Sequence, residues 1–256
     1  MAGLRTTLIT GASSGIGAAT ARRLAAPGEA LFLTARGGVS GEKVAALEAV
    51  AEEARAKGAA VETLRADLAV EGAGAQIVGA ATEKFGRLDA IVSNAGYAVA
   101  GRLQETPRAV FDKSYTVIVG AFVDLVQSAL PHLKAAPHGR IVAVGSFVSD
   151  QAPGGRTFPA TAAAKGALTA LCASLAVDLA ADGITVNCVA PGFTQKETAG
   201  HSALSQDAWD KAAAMTPDKR LATPIDVAET IAFFLSEGAG HITGQSLRVD
   251  GGLARL

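Results

Sequence analysis

Three glycines at fixed spacing form the part of the chain best suited to bind an anion. Gly11, Gly15 and Gly17 lie between an apolar run and an alanine-rich helical pattern. Gly11 permits a tight turn out of a strand, Gly15 lets the backbone approach a pyrophosphate, and Gly17 lets a helix pack closely on the sheet. Because a helix N-terminus presents free N–H groups, this spacing predicts a phosphate-binding turn. A turn that merely connects a strand to a helix is the alternative.

Strands and helices alternate along most of the chain. Short apolar runs predict strands at 5–10, 30–34, 60–66, 88–93, 139–145, 184–189 and 245–249. Longer runs with helical spacing predict helices near 15–26, 41–57, 72–85, 107–134, 159–181 and 224–236. The alternation favours one α/β domain over residues 1–256, with a doubly wound parallel sheet of about seven strands and helices on both faces.

Residues 193–220 interrupt this alternation. Polar residues, Gly200, Trp209 and Pro217 separate the sixth strand from the last helix. An excursion at the carboxyl edge of a parallel sheet often closes over a ligand, so we expect residues 193–220 to form a substrate lid.

The composition is that of an enzyme-sized domain with no charge bias. The 256 residues are 49% hydrophobic with a net charge of −1, which gives no reason to expect nucleic acid or an acidic membrane as partner. The first residues run directly into a strand, without a signal peptide, so we expect a cytoplasmic location and no membrane partner. Cys172 and Cys188 lack metal-ligand spacing and are expected to be free thiols, with no metal site.

Further motifs occur in a characteristic order. They are Thr10–Gly17, Asp67-Leu68, Asn94-Ala95-Gly96, Gly145-Ser146, Lys165, and Asn187 followed by Pro191-Gly192. On these residues the chain resembles the short-chain dehydrogenase/reductase family over essentially its whole length. The resemblance implies a single-domain Rossmann fold that binds a nicotinamide dinucleotide.

The resemblance also implies a role for each motif residue. The phosphates would be held by Gly11, Ser13, Ser14, Gly15, Ile16 and Gly17. The adenine would lie between Asp67 and Leu68, and the ribose and nicotinamide would meet Asn94, Ala95, Gly96, Lys165, Pro191, Gly192 and Thr194. Ordinary caps and strand-end turns are the alternative for these positions.

The choice of cofactor depends on the end of the second strand. A carboxylate there accepts the ribose hydroxyls of NAD(H), whereas a guanidinium attracts the 2′-phosphate of NADP(H). Ala35 and Arg36 occupy this position, which favours NADP(H) over NAD(H). A solvated surface arginine is the alternative.

The catalytic region departs from the family pattern. The resemblance implies that Ser146 holds the substrate carbonyl and that Lys165 belongs to the catalytic group. The family tyrosine lies four residues before the lysine, and here that residue is Thr161. The family asparagine would fall at Val117 or Ile118. An aliphatic hydroxyl is a far weaker acid than a phenol, so Thr161 is a poor direct substitute as proton donor.

Other donors are available. Tyr97 follows Asn94-Ala95-Gly96 directly and is favoured over Tyr115, although a tyrosine beside a strand end is more often a packed or rim residue. Lys165 could protonate an alkoxide through water or Thr161 if burial lowered its pKa. His201 lies in the expected lid and forms no evident triad with Ser146.

The sequence also bears on the substrate and on self-association. Phe147, Phe158 and Phe193 adjoin the expected catalytic edge and indicate either an apolar pocket or core packing. Helices 107–134 and 159–181 are more apolar than one sheet face requires. In the resembling family they pair across a two-fold axis, and residues 246–252 lie near a second interface, so a homodimer or homotetramer is expected.

These observations lead to three hypotheses. The first is an NADP(H)-dependent oxidoreductase that acts on a small-molecule carbonyl or alcohol with an atypical proton donor around Ser146, Thr161 and Lys165. The second is a catalytically impaired cofactor-binding homologue that serves as a partner subunit or sensor. The third is a nonredox enzyme, such as a lyase or isomerase, that reuses the pocket. Fold resemblance alone does not separate them.

Overall fold

A single parallel sheet forms the centre of the protein. The computed structural model describes residues 4–38, 41–195 and 205–255. Within these ranges the strands pair in the order β3-β2-β1-β4-β5-β6-β7, all parallel. The strands are β1 (Arg5–Thr10), β2 (Glu29–Ala35), β3 (Ala60–Arg65), β4 (Ala90–Ser93), β5 (Arg140–Val144), β6 (Thr185–Pro191) and β7 (Ser246–Val249). The predicted single-domain, doubly wound α/β fold is confirmed.

Helices cover both faces of this sheet. They are α1 (Gly15–Leu24), α2 (Glu42–Ala56), α3 (Ala73–Phe85), α4 (Arg108–Tyr115), α5 (Ala121–Ala135), α6 (Pro159–Asp178), α7 (Gln206–Met215) and α8 (Pro224–Leu235). Successive β1 residues face opposite ways: Leu8 packs in one core with Phe122 of α5, and Ile9 packs in the other with Leu47 of α2 and Ile231 of α8. Burying a side chain of this size stabilises the fold by about 1.5–3 kcal/mol.

The strand order reverses between β1 and β4. The chain runs outward from β1 to β3 and then returns to pair β4 with the other edge of β1. Helices that connect strands on the two sides diverge at this point, which leaves a crevice at the carboxyl ends of β1 and β4. Residues 11–17 follow β1 and residues 94–96 follow β4, so the fold brings these two motifs to the same crevice.

Two helical predictions need correction. The predicted helix 107–134 is α4 and α5 joined by a π-helical turn at Thr116–Gly120. Four β-branched residues followed by Gly120 disfavour a regular α-helix there. Helix α7 was not predicted in the segment 193–220, because it buries only Ala212 and lacks a strong apolar pattern. The other predicted elements agree with the observed ones to within three residues.

Two helical stretches are apolar and long enough to cross a bilayer. Arg108–Ala135 and Pro159–Asp178 each contain an 18-residue window with a mean hydropathy of 1.4. Both pack on the sheet, where Phe122, Leu125 and Leu168 are almost completely buried. Core packing therefore accounts for much of their apolar character. Each stretch also has an outer face that the single chain leaves uncovered.

Candidate active site

The turn between β1 and α1, residues 11–17, has the geometry that its glycines predict. Gly11 and Gly15 have φ values of +68° and +56°, a region that favours glycine. A Cβ atom on Gly17 would lie 2.4 Å from the carbonyl oxygen of Gly11, so no larger residue fits there. A Cβ atom on Gly15 would meet nothing within 4 Å, which leaves open space beside the backbone. We refer to residues 11–17 as the glycine turn.

The N-terminus of α1 is open to an anion. Ser14 caps the helix without a side-chain hydrogen bond, and the first turn contains no acidic residue. Ser13 is largely buried, whereas Ser14 is exposed. The N–H groups of Gly15, Ile16 and Gly17 start the helix and have no partner within it. Together with the open side of Gly15, they fit the pyrophosphate of a dinucleotide.

The motif after β4 is bonded directly to the glycine turn. The backbone N–H groups of Asn94 and Ala95 both donate to Oγ1 of Thr10, each at 3.0 Å. The Asn94 amide donates to the carbonyl oxygens of Thr10 and Gly11 at 2.9 and 3.2 Å. Asn94 therefore holds the two loops together. The side chain of Thr10 was not predicted to take part, and only the tertiary contact between β1 and β4 gives it this role.

The edge of the crevice formed by β2 and β3 carries two arginines. Arg36 follows β2 and is exposed. Arg65 ends β3 in register with Ala35, and a Cβ atom on Gly37 would lie 2.3 Å from its Nε. The Arg65 guanidinium thus lies across the backbone directly after Arg36. Arg65 was not predicted as a site residue, because only the pairing of β2 with β3 places it there.

Asp67 and Leu68 follow β3 on the same side. Leu68 is buried in the core. The Asp67 side chain accepts a hydrogen bond from the Ala69 N–H at 3.0 Å, which forms a turn. This contact uses one oxygen, Oδ1, and the Asp67 residue stays exposed.

Lys165 lies at the centre of the crevice. It projects from α6 and donates from Nζ to the carbonyl oxygen of Val144, at the end of β5, at 2.5 Å. A Cβ atom on Gly96 would lie 3.3 Å from Nζ, so the glycine leaves room for the lysine. Burial lowers the pKa of Lys165 to about 8, because the charged form loses hydration. Lys165 is therefore mostly protonated at pH 7 and can exchange a proton slightly above it.

Ser146 lies two residues beyond β5. Its Oγ accepts a hydrogen bond from the Val148 N–H at 3.3 Å and caps a short 3₁₀ turn. The hydroxyl hydrogen stays available to a ligand, since this contact uses Oγ only as an acceptor. Ser146 and Lys165 thus both lie at the carboxyl end of β5.

Thr161 is buried and already hydrogen-bonded. Its Oγ1 accepts from the N–H of Val99 at 3.0 Å, and the residue is 1% exposed. This contact ties the loop after β4 to α6. Thr161 therefore anchors this loop in the described structure. Its hydroxyl accepts the Val99 N–H but donates no hydrogen bond to the loop.

The two tyrosines have different surroundings. The Tyr97 hydroxyl is buried and has no hydrogen-bond partner within the described ranges. Leaving a phenol in this state costs about 1–3 kcal/mol unless a ligand or water satisfies it. Tyr115 is 56% exposed and lines a groove between α4 and α6. Of the two tyrosines, Tyr97 is therefore the better candidate to form a hydrogen bond with a ligand.

The segment in which the resemblance would place the family asparagine is apolar. Val117 and Ile118 belong to the π-helical turn and pack on the core, and a Cβ atom on Gly96 would lie 3.8 Å from Cγ1 of Ile118. Neither side chain can form hydrogen bonds. Single π-helical turns inside α-helices frequently occur at functional sites, and this one lies beside the crevice.

The loop after β6 forms the remaining wall. A Cβ atom on Gly192 would lie 2.7 Å from the Cα of Asp250, so Pro191-Gly192 packs tightly beside β7. Thr194 donates from Oγ1 to the carbonyl oxygen of Gly192 at 3.1 Å. Phe193 packs on Phe147 with ring centroids 4.7 Å apart.

An apolar cluster lies next to this wall. Phe147, Val148 and Leu253 are buried, and Phe158, Phe193 and Met215 pack against them. The three phenylalanines singled out in the sequence are thus brought together beside Ser146. Residues 196–204, including His201, lie outside the described ranges. The Ala222 N–H donates to the carbonyl oxygen of Phe193, and the Gln195 N–H donates to the carbonyl oxygen of Ala222. These bonds join the start of the segment 193–220 to the residues that follow it.

Metal and disulfide chemistry have no evident site in the described parts of the chain. Cys172 and Cys188 are free and buried, and burial raises the pKa of the Cys172 thiol. No three His, Cys, Asp or Glu side chains come together as metal ligands within the described ranges.

The fold and crevice are those of a Rossmann-type domain, and comparison with known proteins specifies the family. A family model described as enoyl-(acyl carrier protein) reductase matches residues 11–254. Cis-4-hydroxycyclohexanecarboxylate dehydrogenase from Sinomonas cyclohexanicum is 37% identical over 249 residues, covering 97% of this chain and 96% of the relative. The chain belongs to the short-chain dehydrogenase/reductase family.

Two further similarities are consistent with this assignment. The 3-oxoacyl-(acyl-carrier-protein) reductase of Staphylococcus epidermidis is 32% identical, covering 97% of this chain and 98% of the relative. A crystal structure of a short-chain dehydrogenase from Burkholderia cenocepacia in complex with NADP has a TM-score of 0.86 and 33% identity, with 98% of each chain covered.

Proposed function

We propose that this protein is an NADP(H)-dependent oxidoreductase that interconverts a carbonyl and an alcohol. The observation that carries the proposal is the set of contacts from the glycine turn through Asn94 to Gly96, and from Gly96 to the Lys165 ammonium. A dinucleotide phosphate at the glycine turn and a reacting group near Lys165 would then occupy one crevice. The NADP complex of the Burkholderia relative supports this cofactor.

The adenosine contacts favour a phosphorylated ribose. Arg36 and Arg65 carry positive charge at the ends of neighbouring strands, and a 2′-phosphate between them would receive charge-assisted hydrogen bonds. No carboxylate occupies the position after β2 where one would bind the two hydroxyls of an unphosphorylated ribose. We therefore propose a preference for NADP(H).

A nicotinamide bound in this crevice would supply or accept the hydride, and the chain's own residues handle the proton. Ser146 donates from Oγ to the carbonyl oxygen of the substrate. Lys165 binds the ribose and holds a proton that can pass to the alkoxide oxygen through water or the Thr161 hydroxyl. Tyr97 is the alternative donor, since its buried hydroxyl lacks a partner in the described structure. Pro191, Gly192 and Thr194 would close the nicotinamide side, and residues 193–220 would cover the substrate.

The pH dependence of reduction tests the proton-donor assignment. Because burial lowers the pKa of Lys165 to about 8, raising the pH above 8 removes the proton that reduction consumes. We expect kcat/KM for carbonyl reduction to fall about tenfold per pH unit above 8. Rates of NADPH oxidation between pH 6 and 10 on a panel of ketones measure this, with circular dichroism as a check of folding. A flat profile up to pH 10 would remove Lys165 as the source of the proton.

A second function follows from the Thr161 contact. If the Thr161 hydroxyl serves only to anchor Val99, the protein binds the cofactor but transfers hydride poorly, as expected of a partner subunit or sensor. Tight NADPH binding without NADPH oxidation on the ketone panel would favour this function. Product formation without a net redox change would favour a lyase or isomerase instead.

We also propose that the protein is a cytoplasmic homodimer or homotetramer. Helices α4 and α6 border an open groove of about 580 Å³, with Tyr115 on one side and Ala160 and Ala163 on the other. Val177 near the end of α6 is 81% exposed. A second copy that packs on this face would bury an apolar surface that single chains rarely leave open.

Light scattering tests the oligomeric state. We expect the mass of a dimer or tetramer at micromolar concentration. Val177→Glu places a charge on the exposed face of α6 and should lower the mass, because a buried unpaired carboxylate opposes association. Val44→Glu on α2 introduces the same change at another exposed position and should leave the mass unchanged. A wild-type monomer at this concentration would contradict the proposal.

A further inference from the structure

Arg156 is an exposed arginine placed over an aromatic ring. Its guanidinium carbon lies 5.3 Å from the centroid of the Phe158 ring. Such stacking stabilises a cation and holds the guanidinium plane in position. Among the described residues no carboxylate forms an ion pair with Arg156. Its hydrogen-bond donors therefore stay available to a ligand.

Phe158 connects this guanidinium to the catalytic residues. It packs on the apolar cluster whose buried members Phe147 and Val148 follow Ser146 directly. Three residues further along the chain, Thr161 is buried in α6 beside the loop after β4. The Arg156 guanidinium therefore lies at the outer edge of the apolar cluster that begins directly after Ser146.

The loop that carries Arg156 is anchored to the opposite wall of the crevice. The N–H of Gly101 donates to the carbonyl oxygen of Thr157 at 3.1 Å, and the Thr157 hydroxyl donates to the carbonyl oxygen of Gly101 at 2.7 Å. These two bonds join the loop after β4 to the loop after β5. They also bring Arg102, the neighbour of Gly101, close to the loop that carries Arg156. We refer to this edge of the crevice, with Arg102 and Arg156, as the rim.

The charges around this rim are predominantly positive. Arg102 and Arg156 are both exposed. Asp150, on the same loop as Arg156, is paired with Arg248. Lys219 lines an adjoining open cavity of about 480 Å³, together with Gln151, Gly154, Met215 and Leu253. Glu105, which follows Arg102 along the chain, is the nearby acidic residue without a described ion pair.

We infer that Arg156 binds a carboxylate on the substrate and selects for acids over neutral molecules. The inference rests on the proposed function, because it names the substrate class of the same site: an apolar carbonyl or alcohol with a carboxylate at the end remote from the reacting carbon. The body of the substrate would lie against the apolar cluster, in the adjoining open cavity that Met215 and Leu253 also line. The planar guanidinium matches the two oxygens of a carboxylate. Specificity then comes from the rim, while the chemistry occurs at Ser146 and Lys165.

Paired probes that differ only in charge test the inference. Binding of cyclohexanecarboxylate and of cyclohexanecarboxamide to the full chain, saturated with NADP⁺, is measured by calorimetry. Reduction of 4-oxocyclohexanecarboxylate and of its amide by NADPH is measured in parallel. We expect the wild type to prefer the acid about tenfold in both experiments. The preference should decrease at high salt, because the rim is exposed.

Variants of Arg156 show whether the guanidinium causes the preference. Arg156→Gln should remove the preference for the acid but retain affinity for the amide, and Arg156→Lys should restore part of it. Arg23→Gln is a matched control, because Arg23 is an exposed arginine paired with Glu229 on α8. It should leave the preference intact. If Arg156 had only a structural role, Arg156→Gln would weaken the binding of the acid and of the amide equally.

The outcomes separate this inference from the proposed function. Equal binding of acid and amide by the wild type, binding of neither, or an unchanged preference in Arg156→Gln would each overturn the inference. Reduction of both ketones at equal rates would leave the oxidoreductase proposal standing and overturn the inference. A preference for the acid in calorimetry without turnover of either ketone would support the carboxylate site and count against the proposed function.

Discussion

Replacing Arg36 with Asp is expected to change the ratio of NADPH affinity to NADH affinity by about a thousandfold. The substitution removes charge-assisted hydrogen bonds to the 2′-phosphate and places a repelling carboxylate there. The same carboxylate can accept both hydroxyls of an unphosphorylated ribose. A combined effect of about 4 kcal/mol corresponds to three orders of magnitude in the ratio. Fluorescence titration of the wild type and the variant with both cofactors measures it.

A second arginine variant makes this experiment specific. Arg65→Gln should weaken NADPH binding by about tenfold and leave NADH binding nearly unchanged, because it removes one cation without adding a repelling charge. Arg23→Asp changes the charge by the same amount as Arg36→Asp on an exposed face of α1 and should leave the ratio unchanged. An unaltered ratio in Arg36→Asp would show that the arginine is an ordinary surface residue.

Restoring a phenol with Thr161→Tyr is expected to raise the reductase rate at least about a hundredfold. General acid catalysis contributes roughly 10²–10⁴-fold, and a phenol four residues before Lys165 lies one helical turn from its ammonium. The positive charge of Lys165 would lower the pKa of that phenol, which favours proton exchange near neutral pH. Single-turnover oxidation of NADPH with a saturating ketone measures the chemical step.

The contact with Val99 makes a matched control necessary. A larger side chain at position 161 displaces the loop after β4, because Thr161 is 1% exposed and accepts the Val99 N–H. Thr161→Phe causes the same displacement without a hydroxyl and should show no gain. If both variants bind NADPH but neither gains activity on ketones that fit the pocket, the protein is better described as a cofactor-binding subunit. A gain in Thr161→Tyr alone would show that the rest of the reductase site is intact.

Much of the fold was predictable because its signals are local. Apolar runs such as the one in β1 are buried on both faces of a parallel sheet, and the glycine turn needs backbone geometry that few other residues adopt. Helix α7 was missed because it has a single buried residue, so its sequence carries little periodicity. The π-helical turn at Thr116–Gly120 was also missed, since the apolar pattern continues across it.

The candidate site was predictable only in part. The motif residues come together at the ends of β1, β4, β5 and β6, as the parallel topology requires. The side-chain contacts did not follow from the motifs. Arg65 reaches the residue after Arg36 only through the pairing of β2 with β3, and Thr10 bonds Asn94 only because β1 and β4 are neighbours.

The sequence by itself determined the fold class and the position of the glycine turn, and it predicted that Thr161 takes the place of the family tyrosine. These features depend on residue types at fixed local spacing, which a single chain displays directly. Only the tertiary structure decided that Thr161 anchors Val99, that Lys165 loses its hydration, and that Arg156 stands over Phe158 without an ion pair in the described ranges. Hydrogen bonding and desolvation depend on contacts between residues that are far apart in the sequence. These contacts form only in the folded protein, so local sequence patterns do not reveal them.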